Sequence, residues 1–222
     1  MIGMRRLKLV IKVGGSLSIG KNGPNKRYFR KFVPVLKKIA KRHQIIVVIG
    51  GGRFIRNYYR SIRKLGLSST EMEWIAIELL RVNVRFLAFL LRKEPIYSLK
   101  QLNSTSSGVI GGIVPGRSTD ANAAIAAKII RADMLIKLTN VDGIYTKDPN
   151  KFRNAKKIRK IKFGELKKYT KGGKPGSYGI FDKMAANTIR KHHIKTVIMS
   201  GRDPRDLLKL LDGKKLGTVI SD

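Results

Sequence analysis

An α/β fold with a mainly parallel sheet is expected, and three features of the chain predict it. Short apolar runs recur at Leu7–Val13, Ile45–Ile49, Gly108–Ile110, Met134–Thr139, Thr196–Met199 and Thr218–Ile220. Most are separated by helical patterns, the way strands covered on both faces by crossover helices read. Glycine-rich turns close the first two runs, at Gly14-Gly15 and Gly50-Gly51-Gly52. Further on, the turn Pro115–Ala121, an Ala-rich stretch to Arg131 and the run ending at Thr139 form a turn, helix, strand, turn unit. Polar groups thereby gather at the carboxyl edge of the strands, where open parallel sheets bind their ligands.

Taken in order, Met4–Lys12 has the basic start of a signal peptide, but lysines interrupt a short apolar run and Gly-Gly follows, so it reads as a first strand. Helices are expected at Tyr28–Arg42, Arg53–Leu65, Ser69–Arg92, Asp120–Arg131, Asp182–His192 and Pro204–Leu211. The longest opens with the capping box Ser68-Ser69-Thr70-Glu71 and carries an apolar stripe through Met72, Ile75, Leu79 and Leu80. That stripe reads as core, although a helix of this length can also supply a subunit interface. Residues 151–177 are the least regular part, and Lys171–Gly176 reads as a flexible loop. His43, His192 and His193 belong to helix ends and show no metal-ligand spacing with carboxylates.

At 222 residues and 42% hydrophobic content the chain can bury one substantial core, and a single domain is expected. With no cysteine, disulfide frameworks, thiolate catalysis and cysteine zinc sites are excluded. No segment approaches the roughly 20 apolar residues that span a bilayer. The net charge of +34 attracts polyanions. Lys and Arg are nevertheless spread through every segment and no nucleic-acid fold signature accompanies them, so a dedicated nucleic-acid site is not favoured.

Several motifs suit phosphate chemistry. In Lys12-Val13-Gly14-Gly15-Ser16 the glycines let backbone N–H groups approach an anion, and Lys12 offers a point charge. The pattern is not GxxxxGK[ST], so a Walker-A nucleotidase is not indicated. Gly50-Gly51-Gly52 lies between a strand and a helix, where amides also face the sheet edge. Arg56 by itself reads as a solvated helix residue. Asp120 at a helix start is either a cap or an organiser of charge. Thr139–Pro149 offers a ring, hydroxyls, an amide and two carboxylates suited to adenine and ribose; equally, Asp142-Gly143 and Asp148-Pro149 form turns and Tyr145 is core. For Asp142 the turn reading is retained.

Lys12–Ser16, Gly50–Arg53, Pro115–Ala121 with Thr139–Pro149, and Phe181-Asp182-Lys183-Met184-Ala185-Ala186, in this order, resemble the amino-acid kinase superfamily. Within it the resemblance is to the uridylate (UMP) kinases of archaeal type, from about Leu7 to Ile220. It implies a three-layer α/β sandwich with a mainly parallel central sheet. One domain, 1–222, would have an acceptor-binding lobe at roughly 1–130 and an ATP-binding lobe at roughly 131–222. The implied reaction is direct in-line phosphoryl transfer from ATP to UMP, with Lys12 and Asp120 catalytic. ATP would lie against Lys12, Gly14, Gly15, Ser16, Gly52, Arg56, Thr139, Asn140, Tyr145 and Asp148. UMP would lie against Gly51, Glu73 and the loop Ile113, Val114, Pro115, Gly116, Arg117, Ser118 and Thr119. Relatives of this type carry an aspartate where this chain has Glu73, which is one methylene longer and also reads as a solvated helix residue.

Asp182, where acetylglutamate kinases have a catalytic lysine, disfavours the acylphosphate-forming branch, and Lys183 reads as a surface residue. Mg²⁺ would arrive with ATP, with no metal site from the protein. The resemblance further implies a cytoplasmic homo-oligomer, typically a hexamer. The rivals are a sister kinase acting on isopentenyl phosphate or an amino-acid-type carboxylate, and a non-catalytic basic nucleic-acid-binding protein.

Overall fold

In the computed structural model, which describes residues 5–149, 151–170 and 180–222, the first apolar run becomes β1 (Lys8–Val13) at the centre of the sheet. β1 pairs in parallel with β2 (Gln44–Ile49) on one side and β5 (Met134–Thr139) on the other. The eight-stranded order is β3 (Glu94–Pro95), β4 (Gly108–Ile110), β2, β1, β5, β9 (Thr196–Ser200), β10 (Thr218–Ile220), β8 (Lys160–Ile161). Every pairing in it is parallel except β9 with β10. A separate ribbon pairs β6 (Ile144–Tyr145) with β7 (Lys157–Ile158). The two-residue strands are too short to leave a periodic signal and were not expected from the sequence.

Side-chain alternation sorts the core into two layers. Leu9, Ile11 and Val13 face α2 (Lys26–Arg42), α3 (Gly52–Ile62), α4 (Ser69–Leu91) and α7 (Asp206–Leu211). Val10, Ile46 and Val48 face α5 (Thr119–Ile130) and α6 (Lys183–Lys191). A short helix, α1 (Gly15–Ser18), follows β1 directly.

The helix starts follow their caps. Asn25 accepts the Tyr28 N–H at 3.1 Å, so α2 begins at Lys26, before the first apolar position that marked it in sequence. The expected capping box at Ser68 and Glu71 is present. α4 buries Met72, Ile77, Leu80, Val84 and Leu87, whereas Ile75 and Leu79 are only half-buried, so the stripe is rotated from the expected one. Ile144–Tyr145 is a strand and Tyr145 is half-buried rather than core. The loop expected at Lys171–Gly176 lies outside the described residues. Among the described residues, no helix is long and apolar enough to cross a membrane.

Candidate active site

The first two glycine turns meet at the carboxyl edge of the sheet. A Cβ on Gly15 would stand 2.2 Å from the Gly52 nitrogen, and Gly52 has φ 65° with Ile19 O only 2.3 Å from where its Cβ would be. No L side chain is accommodated at either place. The Gly14 N–H donates to Leu138 O at 2.9 Å and joins the β1 turn to β5.

On the α5 face, Lys12 and Lys137 are direct partners in the β1–β5 register. Side by side, two buried ammonium groups would repel, and Asp120, in the first turn of α5, lies between them. Lys12 Nζ is 3.0 Å from Asp120 Oδ1 and Lys137 Nζ is 2.7 Å from Oδ2. Burial pushes the Asp120 carboxyl up, but the two ammonium charges outweigh it and hold the group well below the usual carboxylate range. Lys137 also donates to Ile180 O and sits 4.4 Å from the Phe181 ring centroid. It is a strut. Lys12 meets only Asp120 among the described residues, which leaves donors of its ammonium group unused.

Lys137 was missed as a candidate, although a lysine inside the apolar run Met134-Leu135-Ile136-Lys137-Leu138 was a legible anomaly. The alternative that Asp120 caps α5 is overturned, because the cap is Ser118, whose Oγ accepts the Asp120 and Ala121 N–H groups at 3.1 and 3.0 Å. The Ser118 hydroxyl donates to Asp182, which in turn caps α6 through the Ala185 N–H at 3.0 Å. Ser118 thus joins the starts of α5 and α6.

Beside this cluster, a cavity of about 470 Å³ opens between α3, α4 and the loop before α5. Its apolar wall includes Ile55, Ala76, Ile77 and Leu80; Arg56, Glu73, Arg117 and Thr119 supply polar groups. Gly51, Val114, Gly116 and Ser118 also line it. Ile113 is buried at 6% exposure, and neither it nor Pro115 is part of this wall. Gly52 and Arg56 also lie on this wall, since the start of α3 forms it. Glu73 is half-buried and accepts the Gly116 N–H at 2.5 Å, so it latches the loop and is not merely a solvated helix residue. Arg117 Nε is buried without a hydrogen-bond partner among the described residues, a donor that an anion would satisfy.

Across the edge, Thr139 ends β5 and its Oγ1 accepts the Val141 N–H at 3.0 Å. Asn140 and Ser16 are exposed and Asp148 is half-exposed. The turn reading of Asp142 is incomplete: its carboxylate accepts from the Tyr145 hydroxyl and from Lys157 Nζ at 2.9 Å, tethering β6 to β7. The Asp142 hydrogen bond, with burial second, pushes the Tyr145 hydroxyl up to about 12.

The amino acid kinase family model matches residues 8–200. The chain belongs to the amino acid kinase family. Among its members, the uridylate kinase of Methanobrevibacter smithii is 37% identical over 96% of this chain and 99% of its own. That of Methanothermobacter thermautotrophicus is 35% identical over 97% and 100%. A crystal structure of uridylate kinase from Archaeoglobus fulgidus superposes with a TM-score of 0.84 at 31% identity, covering 97% of this chain and 100% of that one. The mainly parallel sheet between two helical layers is thus the amino acid kinase fold.

For an amino acid kinase the relevant metal is a hard cation on phosphate oxygens. Among the described residues no three His, Cys, Asp or Glu side chains converge to hold one. Asp120, the carboxylate at the centre of the site, has both oxygens against ammonium groups.

Proposed function

We propose that this chain transfers the γ-phosphoryl group of ATP to UMP, producing UDP and ADP. The observation that carries the reading is the buried Lys12–Asp120–Lys137 cluster, with Asp120 directly following Arg117, Ser118 and Thr119 of the loop that lines the cavity. The full-length similarity to uridylate kinases supports UMP as the acceptor. An oxygen of the UMP phosphate attacks the γ-phosphorus in line. The bond from that phosphorus to the β,γ-bridging oxygen breaks, and its electron pair leaves with ADP.

In this reading Lys12 neutralises charge on the migrating group, while Asp120 and Lys137 fix its position without touching substrate. Such transfer depends on positioning and electrostatic stabilisation more than on covalent chemistry. Arg117 and Thr119 hold the acceptor phosphate, and Glu73 orders the loop around it. Gly15, Gly51 and Gly52 admit phosphate oxygens close to the backbone. Thr139, Asn140, Tyr145 and Asp148 receive the adenosine, dividing the domain into an acceptor lobe and an ATP lobe. Mg²⁺ carried by ATP supplies further charge neutralisation. The exposed Trp74, Val82 and Phe89 on α4 give a homo-oligomer an apolar contact surface. The cytoplasm, where nucleotide substrates are made, is its place of action.

ADP release measured in parallel with UMP, CMP, isopentenyl phosphate and acetylglutamate tests the assignment. UMP is expected to give the highest kcat/KM, and isopentenyl phosphate outrunning UMP would overturn it.

A further inference from the structure

All 14 acidic residues lie at or beyond Glu71, so residues 1–70 carry Lys and Arg without a single Asp or Glu. The fold concentrates part of that cationic segment on one ridge. α2 buries Tyr28, Phe29, Phe32, Leu36 and Ile39 and turns Arg27, Arg30, Lys31, Lys38, Lys41 and Arg42 to solvent. These cations share one face in two groups, Arg27–Lys31 and Lys38–Arg42, parted by about 10 Å along the axis at 1.5 Å per residue, so each group can meet a different phosphate of one strand.

The ridge runs into a cleft of about 410 Å³ at the sheet edge opposite the candidate active site. Lys38 and Arg42 belong to both. Leu7, Leu208 and Leu211 give the cleft apolar surface, and Arg5 and His43 line it too. His43 Nδ1 accepts the Leu7 N–H at 3.2 Å, which leaves the ring proton on Nε2. Asp212 also lines the cleft, an acceptor for an exocyclic amino group.

We propose that this face binds single-stranded nucleic acid, with phosphates along α2 and an unstacked base in the cleft. Single strands are held by a cationic groove that tracks the backbone and by flat groups on which bases stack; here Arg5, Arg42 and the His43 ring offer such planes, and a stacked duplex has no base to place there. Anionic membrane fits less well, because Phe29, Phe32, Leu36 and Ile39, the large apolar residues of α2, are buried in the core.

The test is fluorescence anisotropy of a labelled 20-nucleotide oligo(C) with the full chain, in saturating UMP and a non-hydrolysable ATP analogue. With about five phosphate contacts, raising salt from 50 to 200 mM should weaken binding about 100-fold, from a slope of roughly 0.7 per contact. K31E/K38E/R42E should weaken it at least tenfold while UMP phosphorylation stays within twofold of wild type. K31A/K38A/R42A should weaken it less but in the same direction, and serves if the reversed-charge variant fails to fold. K183E/K191E/K214E, elsewhere on the surface, should leave binding within twofold. Equal loss in the two reversed-charge sets would overturn the proposal in favour of diffuse charge. Equal or tighter binding of inorganic polyphosphate, a duplex or phosphatidylserine vesicles would overturn it as well, as would displacement by the nucleotides.

Discussion

Asp120→Asn tests the central cluster, because it removes one charge and little volume from between two buried lysines. With Lys137 Nζ at 2.7 Å and Lys12 Nζ at 3.0 Å, the aspartate is the counter-charge to both. Removing one member of such a buried cluster costs about 3–5 kcal/mol. At roughly 2–4 °C per kcal/mol for a chain of this size, Tm should fall by about 6–20 °C. None of that loss comes from the start of α5, since Ser118 is its cap. Loss of a positioned charge should also lower kcat by about 10²–10³-fold.

Coupled ADP release at 25 °C, with calorimetry on the same samples, reads both effects. The folded carboxyl is depressed, so its stabilisation is complete above the unfolded value of about 3.9 and is lost as pH falls towards the lower folded value. The Tm gap between wild type and variant should hold between about pH 5 and 8 and close below about pH 4. An Asn variant with kcat within threefold of wild type would refute the catalytic positioning, and a gap that widens in acid would refute the ion-pair account.

Lys12→Ala should cut kcat by about 10²-fold or more yet lower Tm less than Asp120→Asn, because Lys137 still pairs with the buried carboxylate; normal turnover with unchanged melting would remove Lys12 from the chemistry. Thr119→Ala should reduce kcat/KM for UMP by about 10- to 100-fold through loss of a charge-assisted hydrogen bond, while calorimetric titration finds binding of an ATP analogue unchanged. Gly52→Ala forces a left-handed residue against Ile19 O and should destabilise by about 2 kcal/mol or more. Gly164→Ala, with nothing within 4 Å of the added carbon, should stay within about 0.5 kcal/mol. Similar melting of the two alanine variants would contradict the close approach of the glycine turns.

The apolar runs, their helical separators and the capping residues are local signals, which is why the sequence alone determined the α/β class and the main helices of this protein. Its motif order also marked Lys12, Asp120, the Gly51–Gly52 turn and the loop before α5. Contacts between distant segments leave no local signal, and those the tertiary structure decided. Asp120 was legible as a charged residue at a helix start and Lys137 as a charge in an apolar run, but their pairing was not, because only the parallel register sets positions 12 and 137 side by side. Likewise the sequence offered Ser118 as a phosphate ligand, and only the approach of α6 spent its hydroxyl on Asp182. Gly14 was one of two equivalent glycines in the chain until β5 claimed its amide. Pairing across a sheet and capping across a helix layer depend on where the chain returns in space, and hydrophobic periodicity fixes which face of an element is buried without naming what meets it.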